Sequence, residues 1–241
     1  MTGPFADHAP DGEDNLVTRA VLALCRRLGR EPPRVRLTLT KHLPAAAGLG
    51  GGSSDAAAAL RVVERAFGAN FDLALLLETA AELGSDIPAC VMARPVLAQG
   101  RGERLSEPVG LFALPAVLIR PDAASETGKV YRAFDAMGAP GGADTPALPS
   151  DLGDPEDAAR FFAGCRNDLE TPALDLEPEI ARALAHLAAQ PEALLARMSG
   201  SGSACFALCA SPAASEALAG RLSTERPDWW VKPCRFGGPW P

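Results

Sequence analysis

Residues 44–57 of this 241-residue chain read Pro44-Ala-Ala-Ala-Gly48-Leu-Gly50-Gly51-Gly52-Ser53-Ser54-Asp55-Ala-Ala57. Glycine lets successive backbone N–H groups point at one place without a Cβ in the way, and a helix start adds the positive end of its dipole. The dipole contributes only about 0.3–1 kcal/mol, so several N–H donors and the hydroxyls of Ser53 and Ser54 must supply the rest. The stretch predicts a cradle for phosphate groups.

The residues on either side of the glycines indicate a strand before them and a helix after them. Val35, Leu37 and Leu39 alternate with polar residues, the period of a half-buried strand. Ser53 to Asp55 then provides capping residues for an alanine-rich helix that runs towards Phe67. Strand, glycine loop and helix in this order favour a ligand over a bare surface turn, because glycine runs weaken a fold that does not require them.

Two common phosphate-binding motifs fit this loop poorly. A P-loop requires a lysine directly after its last glycine, and the residue after Gly52 is Ser53. A dinucleotide-binding fingerprint requires a third glycine at the position that Ser53 occupies. The glycines therefore predict phosphate binding without either of these folds.

The rest of the chain mixes helices and strands without strict alternation, which favours an α+β protein of two packed lobes. We place the joint near residues 108–111 and an exposed loop at 138–155. Asn15 and Asp72 are expected to begin helices that end near Gly29 and Gly84. The other predicted elements are a turn at 85–88, a hairpin at 96–102, helices at 130–137, 155–162, 178–189 and 213–222, and strands at 116–119, 204–208 and 229–231.

Composition excludes several classes of protein. The chain is 47% hydrophobic and 22% charged, typical of a folded enzyme, and its net charge of −7 argues against a nucleic-acid partner. No apolar run is long enough to span a membrane, so we expect no membrane partner. Six scattered cysteines without metal-ligand spacing are typical of reduced core residues, which predicts a cytoplasmic protein.

Two further segments are candidates for the site. Gly84-Ser85-Asp86-Ile87-Pro88 places a carboxylate on a restricted turn, where it could act as a general base; the alternative is a turn aspartate that bonds its own backbone. Ser199-Gly200-Ser201-Gly202-Ser203 is a second glycine–serine loop, set before an apolar strand.

These motifs resemble those of the GHMP kinases, the superfamily of galacto-, homoserine-, mevalonate- and phosphomevalonate kinases. Residues 44–57 are similar to its second motif and residues 199–206 to its third. The triple glycine before Ser53, together with Lys41-x-Leu43-Pro44 and Asp14-Asn15-Leu16, resembles the branch that phosphorylates 4-diphosphocytidyl-2-C-methyl-D-erythritol for isoprenoid biosynthesis. The resemblance runs from about Gly3 to Phe236.

The resemblance implies a two-lobed fold, with a ribosomal protein S5 domain 2-like lobe at residues 1–108 and a ferredoxin-like lobe at 109–241. It implies ATP and Mg²⁺ as cofactors, a small-molecule substrate and Asp86 as the catalytic base, with the metal ligands unassigned apart from a possible hydroxyl of Ser53 or Ser54. Arg166-Asn167-Asp168-Leu169-Glu170 resembles an architectural turn of the second lobe. The implied nucleotide-binding residues are Asn15, Lys41, Pro44, Ala45, Ala46, Ala47, Gly48, Leu49, Gly50, Gly51, Gly52, Ser53, Ser54, Gly200, Ser201 and Gly202.

The sequence departs from the family at its start. The family's opening strand, whose lysine assists the catalytic aspartate, has no counterpart here, and neither has a later Gly-Tyr-His segment that holds the cytosine. We therefore expect missing opening strands and impaired catalysis for the chain as given. The alternatives are a catalytically impaired nucleotide-binding fragment and another GHMP kinase, such as a homoserine or mevalonate kinase.

Overall fold

The computed structural model describes residues 1–8, 10–107, 113–123, 125–138, 149 and 152–237. Within these ranges the chain forms two compact units. Residues 1–45 and 50–107 make up the first unit, and residues 46–49 and 113–237 the second. The predicted lobe boundary at 108/109 and most of the predicted loop at 138–155 lie outside the described residues.

Helices dominate the first unit. Its elements are short 3₁₀ turns at Ala6–His8 and Gly12–Asp14, helices α1 (Leu16–Leu28), α2 (Gly51–Ala66), α3 (Leu73–Leu83) and α4 (Ile87–Met92), and the antiparallel hairpin β1 (Leu97–Gln99) and β2 (Arg104–Ser106). The four helices share one apolar core, whose large buried side chains include Leu24, Leu60, Val63, Leu76 and Ile87.

The helix boundaries of this unit follow from local chemistry. The Asn15 carboxamide oxygen accepts from the Val17 N–H at 2.9 Å, and α1 stops at Gly29, whose φ of +61° few other residues adopt. Asp72 caps α3 in the same way, through the Ala74 N–H. The predicted starts of both helices are confirmed.

The predicted strand around Val35, Leu37 and Leu39 is wrong. The structure assigns no strand there, and Val35 and Leu37 are 46% and 38% exposed. An alternating segment becomes a strand only when a neighbour accepts its hydrogen bonds and covers one face. In the described part of the chain, this segment gains only an isolated bridge between Thr40 and Thr2.

One helix-cap prediction and one turn prediction also need correction. Helix α2 begins at Gly51 after the left-handed Gly50 (φ +63°), so Ser53 and Ser54 lie in its first turn and do not cap it. Glycine alone adopts that φ without strain, which explains the earlier start. Ile87 and Pro88, predicted as part of a turn, open α4, because proline is well tolerated in the first turn of a helix.

The second unit is an α+β sandwich around a four-stranded antiparallel sheet. Its elements are β3 (Leu114–Arg120), α5 (Thr127–Ala136), α6 (Pro155–Ala163), α7 (Glu170–Leu176), α8 (Pro178–Ala188), β4 (Leu195–Met198), β5 (Cys205–Leu208), α9 (Pro212–Glu225) and β6 (Trp230–Phe236). The strand order is β4-β5-β3-β6, which is the ferredoxin-like arrangement of two βαβ halves.

Each face of this sheet has its own core. Val117 and Ile119 of β3 pack with Ile180 of α8 and Leu218 of α9, while Leu114 and Ala116 face α6.

The sequence predicted most of the elements of this unit but missed α7 and β4. Helix α7 contains Pro172, and β4 has only four residues without an alternating pattern, so neither carries a periodic signal.

Candidate functional site

The start of α2 presents a row of unpaired backbone donors in the first unit. In the described part of the chain, the first N–H of this segment to find a protein acceptor is that of Ser54, which donates to the Gly50 carbonyl at 2.9 Å. The N–H groups of Gly51, Gly52 and Ser53 have no such acceptor there, and Gly52 and Ser54 are exposed. Unpaired donors at the positive end of a helix suit an anion such as a phosphate.

A buried lysine lies beside this helix start. Lys41 is only 7% exposed, and its Nζ lies 2.5 Å from Oδ2 of Asp55 in α2. A Cβ added to Gly51 would lie 3.9 Å from the same Nζ, an ordinary contact distance. The pair therefore places a cation next to the first turn of α2, where the Asp55 carboxylate balances its charge.

Asn15, the other predicted nucleotide contact in this unit, uses its side chain within the protein. Its carboxamide oxygen caps α1, and its Nδ2 donates to the Pro10 carbonyl at 2.7 Å. The side chain is largely buried as a result. Contact between this amide and a nucleotide stays a prediction.

Asp86 lies at the N-cap position of α4, with its side chain exposed. The buried Ile87 and Pro88 anchor the turn, and Gly102 of the β1–β2 turn packs against the Ser85 carbonyl so closely that a Cβ would lie 2.0 Å from that oxygen. Within the described ranges, no Lys or Arg forms an ion pair with Asp86. Burial, with a smaller effect of the Asp86 charge, raises the pKa of the Cys90 thiol.

Gly48 joins the second glycine–serine loop inside the second unit. Its φ is +69°, and a Cβ there would lie 2.3 Å from the Ser199 carbonyl and 2.8 Å from that of Gly202. The Ser199 hydroxyl donates to the Gly48 carbonyl at 2.8 Å, and the Ala204 N–H donates to the Ala47 carbonyl. Only glycine fits at position 48 because of these close contacts. The same contacts show that the predicted site residues Gly48, Gly200 and Gly202 lie next to one another.

Residues 44–49, at the start of the glycine-rich stretch 44–57, differ in exposure. Pro44 and Ala47 are buried, Ala45 and Leu49 are half-buried, and Ala46 is exposed with a left-handed φ of +51°. A positive φ at alanine carries a strain of about 1 kcal/mol or more, which neighbouring contacts must offset. The loop therefore holds an enforced conformation at Ala46 as well as at its glycines.

Side chains outside the predicted nucleotide-binding residues hold the second loop. Asn167 donates to the carbonyls of Gly200 (2.8 Å) and Met198 (3.3 Å), and the Ser125 hydroxyl donates to that of Ser201 (2.6 Å). The hydroxyls of Thr127 and Ser201 are 3.0 Å apart, and Ser201 is 5% exposed. Ser125 and Thr127 were not among the residues predicted from the sequence, since isolated hydroxyl residues near the start of a helix form no recognisable motif.

Metal ligands are sparse. Among the described residues, no three His, Cys, Asp or Glu side chains cluster closely enough to hold a metal ion. The metal ligands stay unassigned, and a hydroxyl of Ser53 or Ser54 as a ligand stays a prediction.

An α+β chain with two glycine–serine loops and a carboxylate on a fixed turn has the features of a small-molecule kinase. The family described as "GHMP kinases N terminal domain" matches residues 15–94, and "GHMP kinases C terminal" matches residues 146–228. The chain belongs to the GHMP kinase family, whose phosphoryl donor is ATP. No helix in the described ranges is long and apolar enough to cross a membrane.

Several individual proteins of known name are similar to this chain in sequence or in structure. The chain is 54% identical over 98% of its length to "4-diphosphocytidyl-2-C-methyl-D-erythritol kinase" of Caulobacter vibrioides, covering 81% of that protein, and 43% identical to the protein of the same name in Dinoroseobacter shibae, with 97% and 76% covered. A crystal structure of 4-(cytidine 5'-diphospho)-2C-methyl-D-erythritol kinase matches with a TM-score of 0.74 at 31% identity, covering 96% of this chain and 81% of the other. A homoserine kinase from Cytophaga hutchinsonii shares the fold alone, with a TM-score of 0.64 at 17% identity and 98% and 80% covered.

Proposed function

We propose that this chain transfers the γ-phosphoryl group of ATP to the 2-hydroxyl of 4-diphosphocytidyl-2-C-methyl-D-erythritol, a step of non-mevalonate isoprenoid precursor biosynthesis. The observation that carries this proposal is the 54% identity over nearly the whole chain to relatives named for that substrate. We place the reaction in the cytoplasm, in keeping with six cysteines that are all free thiols.

Phosphate binding falls to the two glycine–serine loops. Gly51, Gly52 and Ser53 offer unpaired backbone N–H groups within the described structure, and residues 199–203 form a loop braced by Asn167 and Ser125. Donors fixed before the reaction stabilise charge that builds on the transferred group, because they need no reorganisation at that moment. Mg²⁺, when bound with ATP, would neutralise charge on the phosphate oxygens, with Ser53 or Ser54 as its protein ligand.

Asp86 serves as the base. Its carboxylate accepts the proton of the substrate hydroxyl as that oxygen bonds to the γ-phosphorus and the bond to ADP breaks. The turn that carries Asp86 is anchored by the buried Ile87 and Pro88, so the carboxylate is held with little backbone freedom. Exposure of Asp86 in the described structure leaves it accessible to a substrate.

The test is ADP release from wild-type protein with ATP, Mg²⁺ and 4-diphosphocytidyl-2-C-methyl-D-erythritol, with ³¹P NMR of the product to locate the new phosphate. We expect turnover with this acceptor and none with homoserine or mevalonate. Asp86→Asn should lower kcat by roughly 10²- to 10⁴-fold, the contribution of a general base. Turnover with homoserine or mevalonate alone would show that the substrate assignment is wrong.

A further inference from the structure

The loop at residues 199–203 is held by its carbonyl groups. Asn167 donates to the Gly200 carbonyl and to that of Met198, the last residue of β4, and the Ser125 hydroxyl donates to the Ser201 carbonyl. A fourth, that of Ser199, accepts from the Gly202 N–H within the loop at 2.9 Å. Every carbonyl from Met198 to Ser201 is therefore turned towards a protein donor.

The N–H groups of the same peptides must then point away from the donors that hold the carbonyls. In a trans peptide the C=O and the following N–H lie on opposite sides, so the bond from Asn167 to the Gly200 carbonyl also orients the Ser201 N–H. In the same way, the bond from Ser125 to the Ser201 carbonyl orients the Gly202 N–H. That N–H donates to the Ser199 carbonyl and so fixes the peptide that carries the Gly200 N–H. In the part of the chain that the structure describes, the N–H groups of Gly200 and Ser201 donate to no protein acceptor. With Gly200 at a φ of +54°, the two donors form the kind of backbone concavity that binds anions.

We infer that Asn167 and Ser125 are positioning residues that aim the Gly200 and Ser201 N–H groups at the phosphates of ATP. The inference rests on the proposed function for the identity of the anion. Asn167 thus has a role in nucleotide binding beyond the architectural one that its sequence motif suggests.

The Ser201 hydroxyl is excluded from this role by its surroundings. It lies 3.0 Å from the Thr127 hydroxyl, and Ser201 is 95% buried. The loop consequently contacts phosphate through its backbone, and its side chains serve to fix the backbone. Asn167 is itself held, because its carboxamide oxygen accepts from the Leu169 N–H at 3.1 Å.

Asn167→Asp is the sharpest test, because it keeps the shape and the bond from Leu169 but sets an oxygen against two carbonyls. Asn167→Ala removes the donors without adding charge, and Ser125→Ala removes the other brace. Asp168→Asn is the matched control, since the neighbouring Asp168 pairs only with the exposed Arg166 within the described structure. The measurements are ATP binding by calorimetry, the KM for each substrate, kcat and the thermal midpoint.

We expect all three test variants to weaken ATP binding and raise the KM for ATP by roughly 10- to 100-fold, the range for a binding group displaced by about an ångström. The KM for the acceptor and the thermal midpoint should change little, and Asp168→Asn should match wild type. If Asn167→Asp does not fold, ATP binding by Ser125→Ala tests the inference instead.

Unchanged ATP binding in a folded Asn167 or Ser125 variant would overturn the inference, as would equal increases in both KM values. Failure of the proposed function would give a different result, because wild-type protein would then bind ATP without phosphorylating the acceptor. The ATP-binding measurement would still test the positioning role of Asn167 and Ser125.

Discussion

At the scale of single residues, Gly48 has the least freedom to change. Gly48→Ala would place a methyl group 2.3 Å from the Ser199 carbonyl, on a backbone at φ +69° that costs an alanine about 1–2 kcal/mol. Because this carbonyl belongs to the second loop, we expect the substitution to displace that loop and to lower ATP affinity by at least about tenfold. Calorimetric titration with ATP measures the loss.

The same substitution at Gly220 serves as the control. Gly220 lies in the exposed middle of α9, with no atom within 4 Å of the added Cβ. Alanine there should stabilise the protein by about 0.5–1 kcal/mol and leave ATP binding unchanged. Equal affinities for ATP in the two variants would contradict the tight packing of Gly48.

Lys41 and Asp55 form the residue pair whose disruption should be most costly in the first unit. Asp55→Ala leaves the ammonium group of Lys41, 92% buried, without its counter-charge. Breaking a fully buried pair costs about 3–5 kcal/mol, and the partial exposure of Asp55 reduces this to about 1–3 kcal/mol. Urea unfolding of the variant and of wild type measures the difference.

The exposed pair of Arg94 and Glu107 provides the comparison. Glu107→Ala should cost less than about 0.5 kcal/mol, since exposed ion pairs contribute little. A loss for Asp55→Ala no larger than that for Glu107→Ala would mean that Lys41 is solvated and that the buried pair is of no consequence.

At the scale of elements, local chemistry made the helices predictable and tertiary pairing made one strand unpredictable. Asn15 and Asp72 begin helices by bonding N–H groups two residues on, and such contacts can be read from neighbouring residues. The alternation of Val35 and Leu37 is equally clear, yet these residues stay exposed because a strand depends on a distant partner.

The residues of the candidate site also fall into those that the sequence could predict and those that it could not. The glycines of both loops could be identified from sequence, because positive φ values and close approach demand glycine. Ser125 and Thr127 could not, since they meet the second loop across more than 70 residues of chain. Sequence motifs thus report the backbone that binds, whereas the side chains that hold it come from the fold.

Strand β5 makes stability depend on pH. Burial, with a smaller effect of Glu170, raises the pKa of the Cys205 thiol from 9.0 to about 12. The folded protein therefore keeps this proton while the unfolded chain releases it above pH 9, so the stabilisation is complete below pH 9 and is lost between pH 9 and 12. The free energy of unfolding should fall by about 1.4 kcal/mol per pH unit from this thiol.

Cys205→Ser removes the contribution of this thiol to the pH dependence of stability, because a serine hydroxyl does not titrate between pH 9 and 12. Urea unfolding between pH 9.5 and 11 should show a shallower decline for the variant than for wild type, although its stability at pH 7 is lower. Parallel declines would mean that Cys205 ionises in the folded state as readily as in the unfolded one.

At the scale of the whole molecule, nucleotide binding adds directly to stability. A ligand that binds only the folded state at about 100 times its Kd stabilises it by about 2.7 kcal/mol. For a chain of this size, that raises the thermal midpoint by about 5–10 °C. Calorimetric scans with ATP, ADP, AMP and adenosine, each at one concentration near 100 times the Kd for ATP, measure the series.

The order of the series identifies the part of the nucleotide that the protein holds. If the unpaired N–H groups of Gly51, Gly52 and Ser53 bind phosphate, each phosphate removed should lower the midpoint, and adenosine should have little effect. A net charge of −7 makes this order informative, because general electrostatics would favour the uncharged adenosine. A shift with adenosine as large as that with ATP would place the binding energy in the nucleoside and remove the basis for a phosphate cradle.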